Sequence, residues 1–154
     1  MMKNLSDNII YLFKKQGFVI VSTLDAKRTI HCSAKGIVGI EKEGKVYLID
    51  LYRANTFNNL KRDPTISITA VDEHQFVGYT LKGKAKIIER REIQDDIIKR
   101  WEERVIQRVS KRVVQNVKHD KKSKHHPEVL FPHPQYLIEV DVEDIIDLTP
   151  THLK

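Results

Sequence analysis

The sequence predicts a mainly β fold of α+β type: an antiparallel barrel or sandwich with flanking helices. Three observations lead there. Short extended runs rich in Val, Ile, Thr, Tyr and Phe recur along the chain. Clusters of Gly, Asp, Lys and Glu that suit tight turns separate them. Helical periodicity is confined to a few stretches, at 5–16, 56–62 and 92–116.

The elements follow in order. Residues 5–16 read as an amphipathic helix, with Ser6 or Asp7 as cap, Ile9, Ile10, Leu12 and Phe13 on its apolar side, and Gly17 suited to the C′ position. Residues 18–24 form a β-branched, aromatic-rich strand, and 25–28 a turn. Residues 29–40 form a long second strand, in which Gly36 and Gly39 suggest bulges or close backbone approach. A hairpin loop at 41–44 leads to a third strand at 45–51. A short helix at 56–62 is stopped by Asp63-Pro64, because proline disfavours helical geometry in the residue before it. A strand at 65–71, which alternates with Ile66, Ile68 and Ala70 on one face, and another at 76–88 follow. The strongest helical period runs over 92–116, where Ile93, Ile97, Trp101, Val105, Val109 and Val113 recur at near four-residue steps. Residues 118–126 read as a charged loop. A last strand spans 135–142, and 143–148 reads as a short turn or helix before a frayed end.

A length of 154 residues implies one domain, able to bury a core without staples. The single cysteine, Cys32, cannot form an intrachain disulfide or a zinc–thiolate site, and a buried, inert thiol is its default state. Neither a secretory leader nor a membrane-spanning apolar run is visible, so a cytoplasmic setting is expected. The formal charge of +6 is uneven: residues 128–154 carry one basic and six acidic groups, while 91–127 carry eleven basic and six acidic. Such a balance suits nucleic acid, an anionic cofactor or simple solubility, and composition does not choose among them.

Two stretches are candidates for chemistry. Around the end of the third strand, Asp50, Leu51, Arg53, Asn55 and Thr56 precede or open the short helix. A helix N-terminus presents unpaired N–H groups and partial positive charge, and Arg53 can clamp a phosphate. The plainer alternative is that Asn55 or Thr56 caps the helix while Arg53 is solvated. On the second strand, Ser33, Ala34, Lys35 and Gly36 leave room for a flat ring against the backbone, with Ser33 and Lys35 as donors. The alternative there is a tight barrel corner.

The order of these words resembles the FMN-binding split-barrel family of pyridoxamine 5'-phosphate oxidase-like proteins. The run begins with Gly17-Phe18-Val19-Ile20-Val21-Ser22-Thr23 and continues through Cys32-Ser33-Ala34 and Gly44-Lys45-Val46-Tyr47-Leu48-Ile49. It then passes Asn55-Thr56-Phe57-Asn58-Asn59-Leu60-Lys61-Arg62-Asp63-Pro64 and ends in Leu81-Lys82-Gly83-Lys84-Ala85. The resemblance implies a single split-barrel domain over 1–154, with a barrel core at about 17–90, a long helix at about 92–116 and a final strand at about 135–142. It also implies a homodimer with FMN in the groove between subunits, and a flavin-dependent oxidoreductase. Carried over, Arg53, Asn55 and Thr56 hold the phosphate, Ser33, Ala34, Lys35 and Gly36 contact the flavin, and Ile49, Asp50 and Leu51 lie along the ring. The sequence departs from the oxidases at Ala54-Asn55-Thr56, where they carry Ser-Arg-Lys. Vitamin-B6 oxidation is therefore not inferred. The alternatives are a non-catalytic flavin or haem carrier, since relatives of the fold also hold haem, and a nucleic-acid-binding regulatory module.

That last alternative rests on residues 99–124, with ten basic and three acidic residues, Arg104, Arg108 and Arg112 among them; few aromatics interleave, and a solvated face is the simpler reading. His119, His125, His126 and His133 cluster in sequence but lack metal-ligand spacing, and no metal is expected. The stiff Phe131-Pro132-His133-Pro134 run suits a lid.

Overall fold

A computed structural model describes residues 2–50, 53–100, 102–103 and 136–154. Six antiparallel strands close into a barrel in the order β1-β2-β3-β6-β5-β4. The strands are β1 (Phe18–Leu24), β2 (Ile30–Ile40), β3 (Lys45–Asp50), β4 (Thr65–Asp72), β5 (Val77–Glu89) and β6 (Tyr136–Asp147). Two helices, α1 (Asp7–Lys15) and α2 (Asn55–Arg62), complete the frame. Residues 95–100 and 102–103 are helical; the rest of the stretch from 104 to 135 lies outside the described residues, and with it Trp101, the four clustered histidines, the proposed lid, the charged loop and most of the basic run.

Alternation builds the barrel. Val19, Val21, Ile66, Ile68, Leu81, Val46, Leu48, Ile138 and Val140 are nearly or fully buried and point inward. The two helices close opposite ends. Ser6 caps α1 by accepting from the Ile9 N–H at 3.3 Å, and Ile9, Leu12 and Phe13 plug the end where β1 begins. Gly17 does not take the left-handed C′ position; α1 ends on extended backbone at Gln16. At the other end α2 drops Leu60 into the core, and the buried Asn59 donates to Thr23 Oγ1 at 3.0 Å.

Two glycines are required by close approach. Gly44 closes the β2–β3 hairpin at φ +104°, and a Cβ there would lie 2.4 Å from the Lys3 carbonyl, because the N-terminal strap crosses the hairpin. At Gly83, a Cβ would fall 1.9 Å from the Asp141 carbonyl. The β5–β6 register passes from Lys82↔Asp144 to Gly83↔Val142, so Glu143 bulges there. Another register shift lies between Ile37 and Gly39, as the glycines of that strand suggest.

Three expectations are corrected. Residues 143–147 are not a turn or helix: β6 runs on to Asp147 and pairs with Tyr79, Thr80 and Leu81. Five acidic residues in β6 hide that strand from a hydropathy reading, yet they sit on its outer edge or at the bulge. Phe76 reads as a strand residue but occupies the turn before β5 at φ 56°, where Asp72 accepts from the N–H groups of His74 and Gln75. Cys32 is exposed, with its Sγ 3.3 Å from Ser22 Oγ, because even-numbered residues of β2 face outward there.

The outer wall differs from side to side. Over β2, β3, β5 and β6, Ile93 and Ile97 cover Val38, Ile49 and Leu137 in a second apolar cluster. Among the described residues nothing covers Ile20 of β1, Ile30 of β2 and Val71 of β4 on the outward face, which are 48%, 75% and 54% exposed.

Candidate functional site

The barrel opens where β2 and β3 part. Their pairing ends at Gly36↔Ile49, so residues 30–35 of β2 pair only with β1, and β3 turns away into α2. Inward-facing side chains then meet across the gap. Lys35 Nζ donates to Asp50 Oδ1 at 2.9 Å, and Ser33 Oγ lies 3.0 Å from Thr56 Oγ1. Asp50 is 3% exposed, and its second oxygen accepts from the hydroxyl of the fully buried Tyr136. Burial first, then the bond to Asp50, hold that phenol far above its usual pKa, so Tyr136 acts as a donor.

Arg53 stands at the mouth. Its guanidinium meets Glu89 through both carboxylate oxygens, Nη1 at 3.2 Å from Oε1 and Nη2 on Oε2. It also lies over the rings of Phe57 at 4.8 Å and Tyr136 at 5.7 Å, which themselves meet edge-on at 5.0 Å. The hydrogen bond to Glu89 raises the Arg53 pKa, and the same bond holds the Glu89 carboxyl below its ordinary range.

The residues singled out from sequence therefore separate into groups. Ser33, Lys35, Asp50, Arg53 and Thr56 come together at the joint. Asn55 is exposed in the first turn of α2. Ala34 and Gly36 lie on the outer face of β2, beside Ile20 and Phe18 of β1. Ile49 does not reach the joint: it faces outward and is buried under Ile93 and Ile97. Leu51 lies outside the described residues. The expected cap is also corrected. Ala54 is the N-cap, whose methyl side chain has no acceptor to offer, and the Thr56 hydroxyl turns to Ser33. Sequence reasoning missed Glu89, Phe57 and Tyr136 as parts of this site. Tyr136 is 86 residues from Asp50, and no local pattern announces such a pair.

Chemically, the joint offers the uncapped N–H groups of the α2 first turn, two hydroxyls and two cations, which suits a phosphate. Both cations already have carboxylate partners, so the described charges balance.

The family model for pyridoxamine 5'-phosphate oxidase matches residues 5–141. No curated protein matches the sequence. Among solved structures, HupZ of Group A Streptococcus superposes with a TM-score of 0.64 at 17% identity, covering 94% of each chain. A Clostridium acetobutylicum protein related to general stress protein 26, of the pyridoxinephosphate oxidase family, gives 0.58 at 13% identity, over 97% of this chain and all of its own. An F420 reductase gives 0.59 at 10% identity, over 92% and 98%. At these identities the structures show the fold, a six-stranded antiparallel barrel with flanking helices. The family model spans that whole barrel up to the middle of β6, and on that ground the chain belongs to the pyridoxamine 5'-phosphate oxidase family.

Proposed function

We propose that the protein binds FMN at the joint between β2, β3 and α2, and acts as a flavin-dependent oxidoreductase in the form of a homodimer. One observation carries this reading: the first turn of α2 is left without a side-chain cap, beside the Ser33–Thr56 hydroxyl pair and the Arg53 guanidinium. Backbone N–H groups there bind a phosphate with no further cation, which offsets the missing Arg and Lys of the oxidases. Bound FMN supplies a ring that accepts and returns electrons. The chain's own residues orient it. Arg53 shifts part of its hydrogen bonding from Glu89 to the phosphate. Thr56 and Ser33 donate. Ala34, exposed on the outer face of β2, leaves flat space there. Tyr136 and Lys35 hold Asp50, which keeps the end of β3 in place.

The exposed end of the β1–β4 face nearest α1, away from Leu24 and Thr65, supports the homodimer. Ile20 and Val71 are exposed apolar side chains there that a second copy can bury.

The test is a visible spectrum after incubation with FMN and desalting. Two retained flavin bands are expected, and Arg53→Ala and Thr56→Ala are each expected to weaken FMN binding about tenfold or more. A colourless protein, or unchanged affinity in both variants, overturns the site. Sedimentation gives the second check: a dimer for the parent chain and a monomer for Ile20→Lys. A monomeric parent removes the dimer.

A further inference from the structure

A groove of about 490 Å3 lies on the outer wall of the barrel, lined by residues from β1, β2, β4, β5 and the β6 bulge. It shares no residue with the FMN joint. Leu24 and Ile30 form an apolar wall, Ser22, Thr65 and Ser67 bring hydroxyls, and Lys82 and Lys84 bring two ammonium groups. The volume falls within the usual range for small-ligand pockets, and the mix of apolar wall and convergent polar groups is their usual chemistry. Ile30 is 75% exposed, an unusual state for an isoleucine on a barrel wall.

The two lysines are positively charged groups whose natural carboxylates are taken. Across the ladder Lys82 faces Asp144, and Lys84 faces Asp141. Asp144 instead meets Lys3, at 3.5 Å, and Asp141 meets Lys45, at 2.8 Å. Glu139, which faces Lys86, also meets Lys45, at 3.2 Å. The acids of β6 are thus drawn to the β3 and N-terminal side. Asp141 first and then Glu139 hold Lys45 well above the ordinary lysine range. No ion pair of Lys82 or Lys84 exists among the described residues. Lys84 instead donates to Thr65 Oγ1 at 3.0 Å, which turns its amine toward β4 and the groove. Asp63, in the α2–β4 connection, is the other acid that feels Lys84, through space. Glu143 is the one carboxylate in the lining.

We infer that this groove is a second binding site, for a small organic anion that joins one phosphate or carboxylate group to a short apolar or aromatic body. The ammonium groups of Lys82 and Lys84 take the anionic group, with Ser67 and Thr65 as further hydrogen-bond partners. The apolar body lies against Leu24 and Ile30. Glu143 repels a second anionic group and so selects for a ligand with only one. The groove reaches Thr65, just past the C-terminus of α2, while the FMN joint lies at the N-terminus of that helix, and the two share no lining residue. Binding in the groove is therefore expected with or without FMN.

The experiment is a titration of the 15N-labelled full chain with phenyl phosphate, followed by amide chemical shifts. Saturable shifts are expected at Ser22, Leu24, Ile30, Ser67, Lys82 and Lys84. Inorganic phosphate alone should bind at least tenfold more weakly, because it lacks the apolar body. The double variant Lys82→Gln/Lys84→Gln should keep a dispersed, folded spectrum and lose tenfold or more in affinity. Ser67→Ala should lose a few-fold. Overturning results are an absence of saturable shifts at these residues, shifts confined to Arg53–Thr56, or an affinity that the double variant leaves unchanged. Groove shifts that follow protein concentration but not phenyl phosphate also overturn it, since they show that a second copy covers the groove.

Discussion

The two positively charged regions of this barrel sit at opposite ends of α2 and are built in opposite ways. At the joint, Lys35 is paired with Asp50 and Arg53 with Glu89, so each cation has a partner before any ligand arrives. In the groove, Lys82 and Lys84 are left without ion pairs among the described residues, because the acids facing them belong to Lys3 and Lys45. The lesson is that the availability of a cation is set by its third neighbour. Counting lysines and arginines near a site does not give its charge. Counting the acids they meet, and what else those acids meet, does. The joint is accordingly a place where charge holds the frame together, and the groove is one where charge can serve a ligand.

The largest expected effect tests the structural half of that contrast. Asp50→Ala leaves Lys35 and the Tyr136 hydroxyl without their shared acceptor in a buried setting. It should cost about 3–5 kcal/mol, read from urea unfolding. Lys82→Gln, on the exposed wall, should stay within about 0.5 kcal/mol in the same measurement. Equal costs at the two places would break the comparison.

A smaller effect tests competition at the mouth. In Glu89→Gln the carboxylate that occupies Arg53 is gone, while the hydrogen-bonding shape remains. FMN should bind a few-fold more tightly, by titration of flavin fluorescence. The groove affinity for phenyl phosphate should not move. Weaker FMN binding would mean that Glu89 orients Arg53 for the phosphate instead of competing with it.

The smallest effect is a pH dependence. Asp72 is held below the ordinary carboxylate range by its hydrogen bond to Lys15, Glu89 by Arg53, Asp25 by the Thr29 hydroxyl, and Asp63 by the Thr65 N–H. Each is more acidic folded than unfolded. Their stabilisation is complete above the unfolded values near pH 4 and is lost as pH falls through the folded ones. The urea midpoint should therefore hold between pH 7 and 5 and drop below about pH 4. In Glu89→Gln the drop should be shallower. An identical drop would place the acid response elsewhere than the joint.

Much of the fold could be read from local patterns. Strand alternation in 65–71 gave Ile66, Ile68 and Ala70 as one face, and all three are buried. Gly44 and Asp63-Pro64 marked the ends of elements because their backbone preferences act within one or two residues. The helix cap at α2 was misread, since Thr56 answers to Ser33 on another strand. The tail of β6 was misread because its partners on β5 lie 62 to 68 residues earlier and no local preference reports that pairing. Ile49 was assigned to the ring side, but its face depends on which wall residues 93–97 cover.

What the sequence determined by itself is the number and kind of elements and the family resemblance they carry, because turns, alternation and proline blocks are local physics. The tertiary structure alone decided which cation meets which acid. Strand register sets Lys84 opposite Asp141. The closing of the barrel then brings Lys45 to the other side of β6, where it takes that acid. Coulomb attraction between exposed charges is screened beyond about 8–10 Å at ordinary ionic strength, so such choices are made by packing geometry and are invisible in a linear count of charge.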